Sequence, residues 1–274
     1  MKKTYLKEGF MGNKDYFMES DKETLRLDIK TNRDAVATQA KWAGAISGMR
    51  VGDLGCGCGK TTSIINECTK PDGMSVGIDI SPNRIAYAKT HFATANIDFF
   101  EGDIREPLDA FGAFDLIFVR FVLEYYRSAA WSIVQNIYRS VKPGGTICLM
   151  DLDYNCLNHY GMPSAVEEQL KEIIRSVAQA YDFDPFAGRK LYSYLYDLGC
   201  KNIEVDMSAH HLIYGELEAS DLFNWTCKVE AAGPLMKCEE TYRTFREAFL
   251  EFFKDPRRFT YTPLIMCKGT KPRD

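Results

Sequence analysis

The stretch Val51-Gly52-Asp53-Leu54-Gly55-Cys56-Gly57-Cys58-Gly59-Lys60-Thr61-Thr62 decides how this chain is read. Arg50 to Gly55 reads as a strand and Lys60 to Cys68 as a helix, with a run of glycines at the junction. Lacking Cβ atoms, Gly55, Gly57 and Gly59 let the backbone turn tightly and approach a ligand closely. Gly59-Lys60-Thr61 matches the end of a phosphate-binding P-loop, but that motif needs a glycine where Leu54 stands. The dinucleotide fingerprint G-x-G-x-x-G also fails, because this loop is one residue short. Asp53 then sets an acid just before the loop, which repels a pyrophosphate and suits a positively charged ligand.

Strands and helices alternate outward from this loop. Met74 to Asp79 is the next strand, and Ser81-Pro82 supplies a cap and a first-turn proline for a helix reaching about His91. Asn96 to Glu101 and Phe114 to Val119 read as strands. Trp131, Val134, Ile137, Tyr138 and Val141 recur at helical spacing within 128–141. Lys142-Pro143-Gly144-Gly145 stops that helix before a strand from Thr146 to about Asp151. Such alternation predicts a parallel sheet covered on both faces, with ligands at the carboxyl ends of its strands. A helix is expected over 34–46, and strands over 200–214 and 259–268.

The loop and four later motifs, in order, resemble the class I S-adenosylmethionine-dependent methyltransferases. In that family an acid two residues before the glycine-rich loop corresponds to Asp53, with Gly55, Cys56, Gly57 and Gly59 forming the loop. Gly77-Ile78-Asp79-Ile80 resembles the family's next strand end, which implies that Asp79 holds the ribose hydroxyls and Ile80 packs on adenine. Asp79 lies 20 residues beyond Gly59, a separation that dinucleotide folds share. Phe100-Glu101-Gly102-Asp103-Ile104 is similar to the adenine motif, which gives Asp103 the exocyclic amine. Phe114 to Arg120 is similar to the fourth strand, whose end lies beside the sulfonium, and Val141 to Gly145 to the turn before the fifth.

The resemblance implies an α/β, Rossmann-like seven-stranded mixed sheet, its last strand antiparallel, with helices on both faces and helical cap inserts. Residues 1–33 would form an N-terminal arm or lid, and 34–274 the methyltransferase domain, with cap inserts at 154–186 and 215–258. Tyr16 to Leu27 resembles a segment of some small-molecule methyltransferases in which an aromatic and an arginine close over the cofactor. On that likeness Arg26 pairs with the methionyl carboxylate; the alternative is a helix arginine paired with Glu23. Asp79 is set against an N-cap role, which Ser81 fills better. Asp115 starts its strand at the end opposite the ligand edge and reads as structural.

The implied reaction is methyl transfer from S-adenosyl-L-methionine, leaving S-adenosyl-L-homocysteine, to an O or N atom of a small molecule. No catalytic base is assigned: Asp153, Tyr154, His159, His210 and His211 fall near strand ends, but a lone histidine is more often packed than reactive. Tyr242, Phe245, Phe249 and Phe252 follow helical spacing and read as a core stripe. Two other readings stay in view: a non-catalytic protein that binds the same cofactor, and a nicotinamide oxidoreductase, which the short loop opposes.

Composition narrows the partners. The 274 residues carry 34 basic and 38 acidic side chains, a net charge of −4, against a nucleic-acid binder. The 46% apolar content excludes a disordered chain. No signal peptide or membrane span is evident, so the nine cysteines are expected to be reduced thiols of a cytoplasmic protein, with no metal site. A homodimer is the assembly expected. Arsenic chemistry is disfavoured because Cys56 and Cys58 belong to the glycine loop and no ordered triad follows.

Overall fold

The structure, a computed structural model, describes residues 16–18, 20, 22–236 and 238–273. Much of the expected arm, residues 1–15, lies outside the described residues, as do Glu19 and Asp21.

Five parallel strands form the body of one sheet: β1 (Arg50–Leu54), β2 (Met74–Asp79), β3 (Ile97–Glu101), β4 (Phe114–Arg120) and β5 (Val141–Leu152). They lie in the order β3-β2-β1-β4-β5. Their side chains alternate between faces, and both faces are dry. Leu116 and Phe118 of β4 pack with Ala40, Ala43 and Ile65, while Ile117 and Val119 pack with Ile133, Val134 and Ile137. The first set brings helices α2 (Arg33–Ala43) and α3 (Lys60–Thr69) onto one face. The second brings α5 (Ala130–Arg139) onto the other, and α4 (Pro82–Phe92) covers β3 through Ile85 and Ala88. The α4 start follows its sequence signal, with Ser81 Oγ accepting from Arg84 N.

The far side of the sheet closes with β8 (Phe259–Thr270), antiparallel to β5, and β7 (Lys201–Ile213), antiparallel to β8. An eighth, two-residue strand, β6 (His159–Tyr160), was not expected. It forms because β8 outruns β5. Leu264–Thr270 pair with β5, leaving the first residues of β8 to take His159 and Tyr160. The Lys142-Pro143-Gly144-Gly145 turn is a second departure, since it lies inside β5 as an irregularity between the Phe114 and Leu116 pairings. Lys271 holds it, receiving from Gly144 N, donating to Gly145 O and placing its ammonium on the carbonyls of Tyr138 and Val141. At the same amino-terminal edge Asp115 accepts from Arg50 N and Lys142 Nζ, each at 2.8 Å.

The inserts are helical. α6 (Ser164–Ala180), α8 (Ala219–Ala232) and α9 (Glu239–Lys254) enclose Trp225, Phe245, Phe249 and Phe253, all buried together. The stripe on α9 is therefore core for Phe245, Phe249 and Phe252, each worth about 2 kcal/mol of burial. Residues 187–199 had no element assigned from sequence, yet Leu191–Asp197 forms α7, which buries Leu191 and Leu195 against the sheet. On the other side, helix α1 (Glu23–Lys30) packs against α8.

Candidate cofactor and acceptor site

A cleft opens at the carboxyl ends of β1, β2 and β4, roofed by α1. The glycine loop forms its floor. Gly55 N and Cys56 N both donate to Ile78 O, which ties the loop to β2. Gly57 has φ of 56°, and a Cβ there would meet Leu27 Cδ1 of α1 at 3.1 Å. Gly59 is equally constrained by what lies behind it. A Cβ would stand 2.6 Å from Ala88 and 2.8 Å from Phe99.

Asp79 ends β2 on the cleft wall. Its Oδ2 accepts from Gly57 N at 2.8 Å, and its Oδ1 from Ser81 N at 2.9 Å and Arg84 Nε at 3.0 Å. A carboxylate offers about four acceptor positions, so a ligand that donates twice must share with Arg84 or displace it. Ile80 and Ile104 supply apolar walls on either side.

Cations gather at the other end. Arg120 Nε donates to Gln39 Oε1 at 3.0 Å, and its guanidinium lies 4.0 Å from the Phe121 ring centre. Burial lowers the Arg120 guanidinium to about 10, with Asp53 and Asp151 opposing, so it stays charged at neutral pH. Phe121 itself has φ of 59°, a strained conformation for a bulky side chain, of the kind that clusters at working sites. Lys30 also lines the cleft, 5.5 Å from the Phe121 ring, and has no ion pair among the described residues. Burial, then the like charge of Arg26, pushes its ammonium well below the usual lysine range.

Several expected residues sit elsewhere. Arg26 is 2% exposed and does not line the cleft. Its guanidinium binds Glu23 through Nε and Nη2 at 2.7 and 2.8 Å, and Asn224 Oδ1 through Nη1 at 2.8 Å. Asp103 is not among the residues lining the cleft, although Gly102 and Ile104 on either side of it are. Arg105 grips its carboxylate, holding it below the usual range against the opposing effect of burial. Gly59 turns the chain beneath the loop rather than facing the cleft.

Asp53 is likewise behind the loop, 2% exposed, accepting from Thr62 Oγ1 at 2.6 Å. Burial pushes its carboxyl up to about 7, although Thr62 and Arg120 pull it down. The folded protein then keeps a proton that the unfolded chain loses from about pH 4. Stability carried by this group therefore falls as pH rises from about 4 to about 7. Asp53→Asn should flatten the dependence of Tm on pH in that window; calorimetric scans showing an unchanged slope would contradict the assignment.

The residues weighed as bases are occupied or turned away. Asp153 is paired with Arg189 at 2.8 and 2.9 Å, and Tyr154 is exposed beside Phe186. His159 meets Thr260 Oγ1 and Cys156 O through its two ring nitrogens, and burial lowers it to about 4. Burial also holds His210 and His211 well below the usual range; neither lines the cleft. Cys148 lies in the sheet core while Cys56 and Cys58 line the cleft, and the described residues contain no group of three or more metal-ligating side chains.

The 3-10 turn Leu123–Tyr125 after β4 links this cleft to a second cavity under the cap. Tyr125 lines both. The second cavity is walled by Leu170, Phe183, Trp225, Phe245 and Phe249, with Asn155, Cys156 and Lys228 as its polar members.

Residues 46–222 match the family model described as a methyltransferase domain. The chain belongs to the class I S-adenosylmethionine-dependent methyltransferases. Among methyltransferase relatives, the demethylmenaquinone methyltransferase of Lactococcus lactis is 28% identical over 143 residues, 51% of this chain and 56% of that protein. The chain spans about half the length of the first curated relatives it matches. The juvenile hormone acid O-methyltransferase of Bombyx mori aligns more fully, at 25% identity over 90% of this chain and 88% of that one. The fold is shared with the phosphoethanolamine N-methyltransferase 2 of Haemonchus contortus, solved with S-adenosyl-L-methionine. Its TM-score is 0.58 at 18% identity, covering 92% of this chain and 57% of that one. Methyltransferase motifs in the sequence pointed to the cleft floor, and the lid-segment likeness reached Tyr16; Lys30 and Arg84, which also line it, carried no motif signal. Lys30 could have been sought as the cation one turn beyond Arg26 on the same helix.

Proposed function

We propose that this protein transfers the methyl group of S-adenosyl-L-methionine to an O or N atom of a small, largely apolar molecule held between the cleft and the cap cavity. The observation that carries the reading is one wall, Tyr125, shared by a cleft built on the glycine loop and Asp79 and by an apolar cavity under the cap. The relatives named for demethylmenaquinone and juvenile hormone acid support a small-molecule acceptor.

The residues present fit the cofactor. Asp79 keeps acceptor capacity for the ribose, the loop exposes backbone at Gly55 and Gly57, and Ile80 and Ile104 flank a flat apolar group. Lys30, unpaired among the described residues, would be the cation for the methionyl carboxylate, whose negative charge offsets the burial and like charge that lower its ammonium; Arg26 is taken by Glu23 and Asn224. When bound, the cofactor supplies an electrophilic methyl on a sulfonium. The chain's part is alignment and exclusion of water by α1 and the cap, which direct displacement chiefly requires.

Calorimetric titration with S-adenosylhomocysteine and NAD, followed by methyl turnover over a metabolite panel, tests the reading. Tight binding of the first with no response to the second is expected. NAD binding alone would overturn the cofactor reading, and cofactor binding without turnover would favour a regulatory protein.

A further inference from the structure

The cap cavity is rich in hydrogen-bond donors and poor in acceptors. Lys228, on α8, extends into it with its ammonium 4.7 Å from the Trp225 ring centre. Its one hydrogen-bond partner among the described residues is the soft thiol Cys156 Sγ, at 3.3 Å. Trp225, in the same wall, is 2% exposed, and its indole N–H finds no acceptor. Indole is donor-only, so a buried one without a partner is a standing cost.

The remaining polar groups do not meet that need. Asn155 gives its amide N–H to Glu124 at 2.6 Å, while its carbonyl faces Cys156 Sγ at 3.3 Å. Glu124 is the nearby acid, 2% exposed and outside the cavity lining. Burial drives its carboxyl up, toward the neutral form, although Lys228 and Lys30 draw it back. An ammonium enclosed by aromatic rings without an oxygen partner favours a ligand that brings one.

We infer that the acceptor is an apolar-tailed carboxylic acid, its carboxylate held by Lys228 and its tail lying among Leu170, Phe183, Phe245 and Phe249. The inference rests on the methyl-transfer reading and narrows it. An amine head would meet Lys228 as a like charge. An alcohol would need a base, and the candidate bases are paired or outside the cleft. A carboxylate is already ionised at neutral pH. One of its oxygens forms a bond to the methyl carbon as the methyl–sulfur bond breaks, the bonding pair staying on sulfur. Anion and sulfonium become neutral ester and neutral thioether, and no proton moves. The ester no longer attracts the lysine, which favours release.

The test uses the full chain saturated with S-adenosylhomocysteine. Octanoate, dodecanoate and 3-phenylpropanoate are titrated by calorimetry beside the alcohols and amines with the same tails. At least one carboxylate should bind ten or more times tighter than its alcohol, with its amine weaker still. Lys228→Met should abolish that preference and Lys228→Arg keep it, while the affinity for S-adenosylhomocysteine stays constant in both. Binding of alcohol and carboxylate alike, binding by no carboxylate, or a preference surviving in Lys228→Met overturns the proposal. Failure of S-adenosylhomocysteine to bind counts instead against the cofactor reading. The carboxylate series titrated into the protein alone then still decides the acceptor.

Discussion

Asp79→Asn is expected to lower the affinity for S-adenosylhomocysteine by about a hundredfold. The carboxylate ends β2 with Gly57 N, Ser81 N and Arg84 Nε already upon it, and the ribose hydroxyls are to join them. Each hydrogen bond to a charged acceptor is worth roughly 1.5–3 kcal/mol. Losing the charge beneath two such bonds therefore removes about 2.7 kcal/mol or more, two decades of affinity. An amide also replaces one acceptor oxygen by a donor, which faces N–H groups from the loop and from Ser81. Calorimetry reads the constant directly, and Tm measured without ligand separates a binding defect from an unfolded one. A change below tenfold in a folded variant would remove Asp79 from the ribose role.

Arg26→Ala is expected to cost about 3–5 kcal/mol of stability and to change cofactor affinity little. Removing one partner of a buried ion pair strands the other charge, a far larger penalty than losing an exposed pair. Glu23 is 1% exposed, with both oxygens on Arg26 and Oε1 also receiving from Tyr16 Oη at 3.0 Å. Arg26 also joins α1 to α8 through Asn224, so its loss removes a buried link between the two helices and adds to the stability cost. Guanidinium unfolding measures the cost. The double variant Glu23→Gln/Arg26→Met, which leaves no orphan charge, should recover much of it. Lys30→Met should show the opposite pattern, with near-normal unfolding and about tenfold weaker binding of S-adenosylhomocysteine, the size of one charge-assisted contact. If Arg26→Ala weakened binding as strongly as Lys30→Met while leaving stability intact, the two assignments would be exchanged.

The parts legible in the sequence share a physical origin. β1, β2 and β4 are short apolar runs buried on both faces, and Gly55 and Gly57 take positive φ where the chain must turn. These are properties of neighbouring residues, so a linear reading finds them. The acid proposed for the ribose was legible for the same reason, because Asp79 is itself the last residue of a strand. Less was visible where a residue's partner lies far along the chain. Arg26 and Lys30 sit on one short helix and read alike as cations. Asn224, 198 positions on, helps turn the first into a strut, and the second is left facing the cleft. Asp103 was placed by motif, yet Arg105, two residues later, takes its carboxylate.

By itself the sequence determined the parallel sheet, the two later strands and the edge at which a ligand must lie, because periodicity and glycine turns are encoded over a few residues; that the later strands close the sheet antiparallel came from the family resemblance. Only the tertiary structure decided which charges face the cleft and what the aromatic inserts enclose. Those outcomes depend on α1 meeting α8, and on α6, α8 and α9 closing around Trp225 and Lys228. Contacts of that kind form between segments too far apart in sequence for local pattern to specify them.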